Sequence, residues 1–125
     1  MDIMISPKSV KPIYDQIFTQ IKKAILSGEL QEGDPLPAMR PLAKSLKVSV
    51  ITVQKAYENL QRAGFVDSAV GKGTFVAEHD AEGIMNEQIK SIELQIDEIT
   101  RSAKNSGISY ETLKTILQNS YYEEG

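Results

Sequence analysis

Apolar residues near the start of the chain recur at spacings of three and four, which is the period of an amphipathic helix. The pattern begins after Pro12, whose missing N–H costs nothing in a first helical turn, and it stops at Gly28. We therefore predict a helix between these two residues. Its apolar face consists of Ile13, Tyr14, Ile17, Phe18, Ile21, Ala24 and Ile25.

A second, shorter helix is predicted from about Met39 to Leu46, with Leu42, Ala43 and Leu46 facing inward. Pro41 is compatible with it, because the first turn of a helix has N–H groups without intrahelical partners. The preceding connection, residues 28–37, contains Gly33-Asp34 and two prolines. We expect those residues to prevent regular structure there.

A third helix is predicted to begin after Ser49, a suitable N-cap, and to end at Gly64. Its buried stripe consists of Val53, Ala56, Tyr57 and Leu60. Only about three residues separate it from the second helix, and two short helices joined in this way are typical of a helix-turn-helix.

Two short strands are predicted next, "FVDSAV" and "TFVA", joined at Gly71-Lys72-Gly73. The lysine between glycines superficially resembles a nucleotide-binding loop. Such a loop needs a glycine five residues earlier and a helix after it, and the sequence supplies neither. The alternatives that remain are a structural turn, or the wing of a winged helix-turn-helix that approaches a nucleic-acid phosphate.

The rest of the chain predicts a helical hairpin. Residues 78–83 are polar and unpatterned, and we expect a linker there. A 3.5-residue apolar repeat follows, which favours pairing with another helix. Gly107 breaks the pattern and Ser109 is a suitable cap for a last helix. The residues that we expect to form a dimer interface are Met85, Ile89, Ile92, Ile96, Ile99, Leu113, Ile116 and Leu117.

Charge is distributed unevenly. Residues 1–77 carry ten Lys/Arg against seven Asp/Glu, a net charge of +3, whereas residues 78–125 carry four against ten, a net charge of −6, and the two sum to the −3 of the chain. Residues 40–72 contain six basic and two acidic residues, so a polyanion is a suitable partner for this segment.

Composition excludes several kinds of chemistry. The chain has no cysteine and one histidine, His79, without a metal-ligand pattern, so we predict no metal site and no cofactor. No Ser/His/Asp grouping or paired acid and base suggests an enzyme. The start of the chain lacks the pattern of a signal peptide, and we expect a cytoplasmic protein with no membrane partner.

The N-terminal part of the third helix contains the candidate base-reading residues. In a helix-turn-helix, this end of the second helix of the motif reaches base edges in the major groove. Gln54 suits adenine, while Val50 and Thr52 suit a thymine methyl group or a phosphate. Lys55 is a further exposed position near this end of the third helix. Arg40, at the start of the preceding helix, suits guanine or phosphate. The alternative for each is an ordinary solvated surface.

Residues 12–78 closely resemble the DNA-binding domain of GntR-family bacterial transcription regulators. The matching motifs are "GEL..GD.LP.MR.LA", "VS..TV..AY..L...G" and "GKGTFV", in that order. The short helical tail and the "PIYDQI" opening look like the YtrA-type subfamily. The resemblance implies a winged helix-turn-helix domain over residues 1–77 and a linker with a two-helix dimerisation tail over residues 78–125, in a mainly α (α+β) fold.

The resemblance also implies roles for single residues. Arg40 matches an arginine that contacts DNA, Ser49 and Thr52 match hydroxyl residues that open the recognition helix, and Gly71-Lys72, with Gly73, match the wing tip. Val50 and Gln54 depart from the family pattern, in which arginine is frequent, so a relative's base sequence cannot be transferred. Ala38 replaces the usual serine cap, which costs about 1 kcal/mol of helix stability.

The function that we predict is a homodimeric, sequence-specific DNA-binding regulator, most simply a repressor, that binds an inverted-repeat operator in double-stranded DNA. The alternative from another class is a protein–protein adaptor, because winged helices also serve as docking modules. Neither the operator sequence nor a small-molecule effector can be named from these residues.

Overall fold

A computed structural model of the chain describes residues 1–123. The fold is mainly helical with one small antiparallel sheet, which confirms the predicted fold class. The chain divides into two compact units: the winged unit, Met1–Ala81, and the tail unit, which begins at Glu82. The last two residues of the predicted tail, 124 and 125, lie outside the described residues. The elements are α1 (Ile13–Leu26), α2 (Met39–Leu46), α3 (Val50–Arg62), β1 (Val66–Ala69), β2 (Gly73–Val76), α4 (Ala81–Asn105) and α5 (Tyr110–Tyr122).

The core of the winged unit lies between α1, α3 and the sheet. The apolar face of α1 packs on the buried stripe of α3, as the 3.6-residue period predicts. The six largest side chains that are fully buried are Ile17, Ile21, Ile25, Val53, Leu60 and Val76. This packing fixes the orientation of α3, so the opposite face of that helix is left toward solvent.

The helix-turn-helix is confirmed in α2 and α3. Lys47 turns the chain between them in the left-handed region, with φ of 58°. The N–H of Val48 then donates to the carbonyl oxygen of Ala43 at 3.0 Å, which closes the end of α2. Ser49 caps α3, since its hydroxyl accepts a hydrogen bond from the N–H of Thr52 at 3.1 Å. The turn is thus set by local backbone geometry as well as by the core.

The wing is the antiparallel pair of β1 and β2, with Val66 opposite Val76 and Ala69 opposite Gly73. The N–H of Lys72 donates to the carbonyl oxygen of Ala69 at 3.0 Å, and Gly71 inside this turn has φ of 82°. A side chain at Gly71 would meet no atom within 4 Å, so backbone conformation is the reason for glycine there.

The connection at residues 28–37 is more regular than predicted. Pro35 forms an antiparallel bridge with Phe75, on β2. Flanking it, the N–H of Leu36 donates to Thr74 and the N–H of Val76 donates to Asp34, both at 2.8 Å. The prediction of no regular structure was wrong here because an edge position does not require the missing N–H of proline to be a donor.

The N-terminal segment is held against α1 by two glutamine amides. Gln16 accepts from the N–H of Ser6 at 2.8 Å and donates to the Ser6 carbonyl oxygen at 3.2 Å. One helical turn later, Gln20 makes the same pair of bonds with Met4, at 2.8 and 2.7 Å. Each amide satisfies backbone groups as a neighbouring strand would. The apolar pattern alone gave no indication of this docking.

The tail unit consists of two helices, α4 and α5, joined by a short turn. Gly107, with φ of 72°, ends the turn after α4, and the Ser109 hydroxyl caps α5 by accepting from the N–H of Thr112 at 3.1 Å. Both features confirm the prediction. The predicted linker at 78–83 was too long, because α4 begins at Ala81. Ala81 and Glu82 are strong helix formers, and a glutamate in the first turn is favoured by the helix dipole.

Within residues 1–123, we find no helix with both the length and the apolar character that crossing a membrane requires.

Candidate nucleic-acid interface

Arg40 lies in the first turn of α2 and its side chain is exposed. Ala38 precedes this helix without a side-chain cap, as predicted, so the exposed N–H groups there have no hydroxyl or carboxylate from the N-cap position. A guanidinium next to free helix N–H groups makes this corner attractive to an anion.

Two hydroxyl groups at the start of α3 form a hydrogen bond with each other. The Oγ of Ser49 and the Oγ1 of Thr52 are 2.8 Å apart, and Ser49 also accepts from the Thr52 N–H. These residues therefore fix the N-terminus of α3. Val50 and Thr52 are half-buried, so they present only part of their surface to a partner.

Gln54 is exposed on α3 and pairs with Glu58, one turn further along. Its Nε2 donates to the Glu58 carboxylate at 3.0 Å. Because a carboxylate offers acceptors, the NH₂ side of the amide faces Glu58, and the Oε1 of Gln54 remains available to accept. The second N–H of the amide remains as a donor. Glu58 was not among the residues predicted from the sequence, although its i, i+4 spacing from Gln54 is a signal for such a pair.

Lys55 lies against α1. Its Nζ is 4.0 Å from the centroid of the Tyr14 ring, within the range of a cation–π interaction. Because Tyr14 is in the first turn of α1, this contact places the start of α1 beside the N-terminal half of α3. The lysine side chain is still exposed, so the contact orients the charge without burying it.

The tip of the wing is fully accessible. Val70, Gly71, Lys72 and Gly73 are all exposed. A backbone with two glycines at such a tip allows close approach to a partner surface, and Lys72 adds one positive charge at the same point.

Five exposed cations of the winged unit have no neighbouring carboxylate in the described part of the chain. Among residues 1–123, no carboxylate lies within 4.0 Å of the charged nitrogens of Arg40, Lys44, Lys47, Lys55 or Lys72. Opposite charges would otherwise screen these groups from a polyanion. The candidate interface therefore contains exposed cations without carboxylate partners on α2, on the turn that follows it, on α3 and at the tip of the wing.

The predicted interface residues of the tail unit fall into two groups. The first group lines an apolar groove of about 430 Å³ between α4 and α5 and consists of Ile96, Ile99, Leu113, Ile116 and Leu117. The other three, Met85, Ile89 and Ile92, continue the same stripe along α4 outside the groove. Within the described residues all eight side chains are exposed except that of Leu113, which is half-buried. The two helices by themselves leave the apolar stripe open to solvent.

The model of the family "Bacterial regulatory proteins, gntR family" matches residues 13–76, from the start of α1 to the end of β2. The chain belongs to the GntR family. It is thus a DNA-binding transcription regulator, and the helix-turn-helix and wing described above lie within the residues that the family model matches. The members that it matches are regulatory proteins.

Two similarities cover nearly the whole GntR-family chain. The HTH-type transcriptional repressor YtrA of Bacillus subtilis is 34% identical over 111 residues, which is 89% of this chain and 85% of that protein. An alignment of this length includes much of the tail unit. A transcriptional regulator from Oenococcus oeni has a crystal structure that covers 94% of this chain and 97% of its own, with a TM-score of 0.69 and 25% identity.

A third similarity covers part of the chain and comes from a complex with DNA. AraR(DBD), crystallised in complex with operator ORX1, is 32% identical and has a TM-score of 0.53. The match covers 59% of this chain and 92% of that one. A protein with a similar fold has therefore been crystallised on an operator.

Proposed function

We propose that this protein acts in the cytoplasm as a homodimeric repressor that binds an inverted-repeat operator in double-stranded DNA. The observation that carries the proposal is the set of exposed cations without carboxylate partners on α2, α3 and the wing, among them Arg40 and Lys72. A winged helix that docks proteins gains little from such a set, whereas phosphate binding depends on it. Neither a cofactor nor an enzymatic step is part of this function.

In the proposed complex, the N-terminal half of α3 enters the major groove. Gln54 reads adenine, because its free Oε1 accepts from the N6 amino group while the remaining N–H donates to N7. Arg40 and Lys55 contact phosphates beside the groove. Gly71, Lys72 and Gly73 bring the wing tip to the DNA backbone, and Ser49, Val50 and Thr52 set the depth at which α3 enters.

The dimer is proposed to form through the stripe on α4 and the groove between α4 and α5. Exposed isoleucines at a 3.5-residue repeat favour a second helix that removes them from water. A two-fold dimer places two equivalent copies of α3 on the DNA, so the operator is expected to be an inverted repeat. Its half-site centres are about 34 Å apart, or a multiple of that distance, because this is the repeat of the duplex.

Repression is inferred from the similarity to the YtrA repressor of Bacillus subtilis. A dimer bound over a promoter excludes polymerase by occupying the same DNA. A small effector would act by changing the separation of the two copies of α3, and its identity is left open.

The test is selection of bound sequences from random duplex DNA, followed by titration of the enriched sequence at two salt concentrations. We expect enrichment of an inverted repeat and an affinity that falls steeply with salt. Enrichment of a single, unrepeated half-site would contradict binding as a dimer but would still support sequence-specific DNA binding. If no sequence is enriched at low salt in the presence of competitor DNA, the protein-docking alternative is favoured instead.

A further inference from the structure

One large apolar side chain on α3 faces solvent. Ile51 is 76% exposed, whereas Val53, Ala56, Tyr57 and Leu60 on the same helix are at most 2% exposed. Ile51 occupies the first turn of α3, next to the cap residue Ser49 and its partner Thr52. It therefore lies at the end of the helix that is proposed to enter the major groove.

The fold gives no reason for isoleucine at this position. A side chain that is three-quarters exposed contributes little to the core. Isoleucine is also a poorer helix former than alanine, because its branched side chain loses rotamer freedom against the preceding turn. A polar residue or alanine would serve helix stability at least as well.

The polar residues around Ile51 already have partners in the protein. Thr52 is bonded to Ser49, Gln54 to Glu58, and Lys55 lies on the Tyr14 ring. These contacts hold three polar side chains in place around an apolar one. Ile51 thus forms a small apolar point on an otherwise polar, preorganised surface.

We propose that Ile51 is a specificity-determining residue that contacts the C5-methyl group of a thymine in each half-site. The thymine methyl is the apolar group that base pairs present in the major groove, and van der Waals contact with it distinguishes thymine from cytosine. This inference rests on the proposed function, because it requires α3 to lie in that groove. It adds a position that neither the family match nor the residues named above assign.

Deoxyuridine substitution tests the contact, because it removes the methyl group and leaves the Watson–Crick pairing intact. In the selected operator, each thymine of the half-site is replaced in turn by deoxyuridine, in both half-sites together, and the dissociation constant is measured for the wild type and for Ile51→Ala. For the wild type, one position should weaken binding about fourfold per half-site, since burial of one methyl group contributes about that factor. For Ile51→Ala, the same replacement should change the dissociation constant by less than twofold per half-site.

Leu94→Ala is the matched control, because Leu94 is 69% exposed on α4 and lies in the tail unit. This variant should retain the full deoxyuridine effect. The proposal is overturned if no thymine in the half-site is sensitive to deoxyuridine, or if Ile51→Ala retains the sensitivity of the wild type. In both cases specific binding by the wild type would leave the proposed function intact, whereas failure of the wild type to select any DNA would remove both.

Discussion

The hydroxyl group of Tyr57 donates a hydrogen bond of 2.7 Å to the carbonyl oxygen of Pro37. Tyr57 lies on the buried face of α3, and Pro37 is two residues before the start of α2. The bond therefore ties the recognition helix to the backbone that leads into the first turn of α2. Arg40 is in that turn. Tyr57 therefore helps to set the distance between Arg40 and the end of α3 that is proposed to read DNA.

We expect Tyr57→Phe to lower the free energy of unfolding by about 1 kcal/mol, the usual net contribution of one such bond. The ring remains in the core, so the variant should still fold cooperatively. Chemical denaturation followed by far-UV circular dichroism measures the change. A stability equal to that of the wild type would mean that water replaces the hydroxyl without loss.

The same tyrosine predicts a loss of stability at high pH. Burial raises the pKa of Tyr57 from 10.0 to about 12, because desolvation disfavours the phenolate. Above pH 10 the unfolded chain releases this proton while the folded chain retains it, so stability falls by about 1.4 kcal/mol per pH unit up to about pH 12. Below pH 10 the group makes no contribution to pH dependence. Tyr57→Phe is the control, because it lacks the phenol: its stability should fall less steeply between pH 9 and pH 11.

Lys47 is the one residue other than glycine with a positive φ among residues 1–123, at 58°. This conformation disfavours any side chain with a Cβ by about 1 kcal/mol. We therefore expect Lys47→Gly to be more stable than Lys47→Ala by about that amount, as measured by denaturant titration. The comparison of the two variants keeps charge constant. Equal stabilities would show that the turn tolerates a Cβ without strain.

Much of the fold followed from periodicity and from residues that stop helices. Gly28, Gly64 and Gly107 all have positive φ, and Ser49 and Ser109 cap the helices that they were expected to cap. In each case a single residue type satisfies a local backbone requirement. Such requirements can be predicted from the sequence because they do not depend on distant parts of the chain.

The features that the sequence did not predict depend on contacts between distant segments. The bridge from Pro35 to Phe75 requires the connection to lie beside β2, and the bonds of Gln16 and Gln20 require the N-terminal segment to return along α1. At the candidate site, the contact between Lys55 and Tyr14 likewise depends on how α1 packs on α3. Such contacts depend on tertiary packing, so they cannot be predicted from a short-range pattern in the sequence.

Lys72 and Arg40 predict a change in the salt dependence of DNA binding. Each contact with a phosphate releases condensed counterions, so its loss reduces the slope of log affinity against log salt by about 0.9. A homodimer contains two copies, and Lys72→Ala or Arg40→Ala should therefore lower the magnitude of the slope by about 1.8. Fluorescence anisotropy with the selected operator between 50 and 200 mM salt, about the range over which such slopes are measured, would detect this change.

Lys90→Ala is the matched control for this measurement, since Lys90 is an exposed lysine on α4 in the tail unit. It removes the same charge from the chain as Lys72→Ala but should leave the slope unchanged. A slope that stays at the wild-type value in Lys72→Ala would remove the wing tip from the phosphate contacts. A weaker affinity with an unchanged slope in Arg40→Ala would favour a base contact for that residue.

The stripe on α4 predicts a dimer that depends on Ile92 and Ile96, which are 57% and 38% exposed. Replacing both with lysine places two charges where the partner helix is expected to pack, and burial of charges without partners is strongly unfavourable. We expect the double variant to be a monomer by multi-angle light scattering at a concentration where the wild type is a dimer. The core of the winged unit lies in other residues, so circular dichroism should still show a folded protein.

Leu94→Lys is the control, because Leu94 lies off the 3.5-residue repeat on the same helix and is 69% exposed. If Leu94→Lys is also monomeric, added charge on α4 disrupts assembly regardless of position, and if the double variant remains dimeric, the stripe is not the interface.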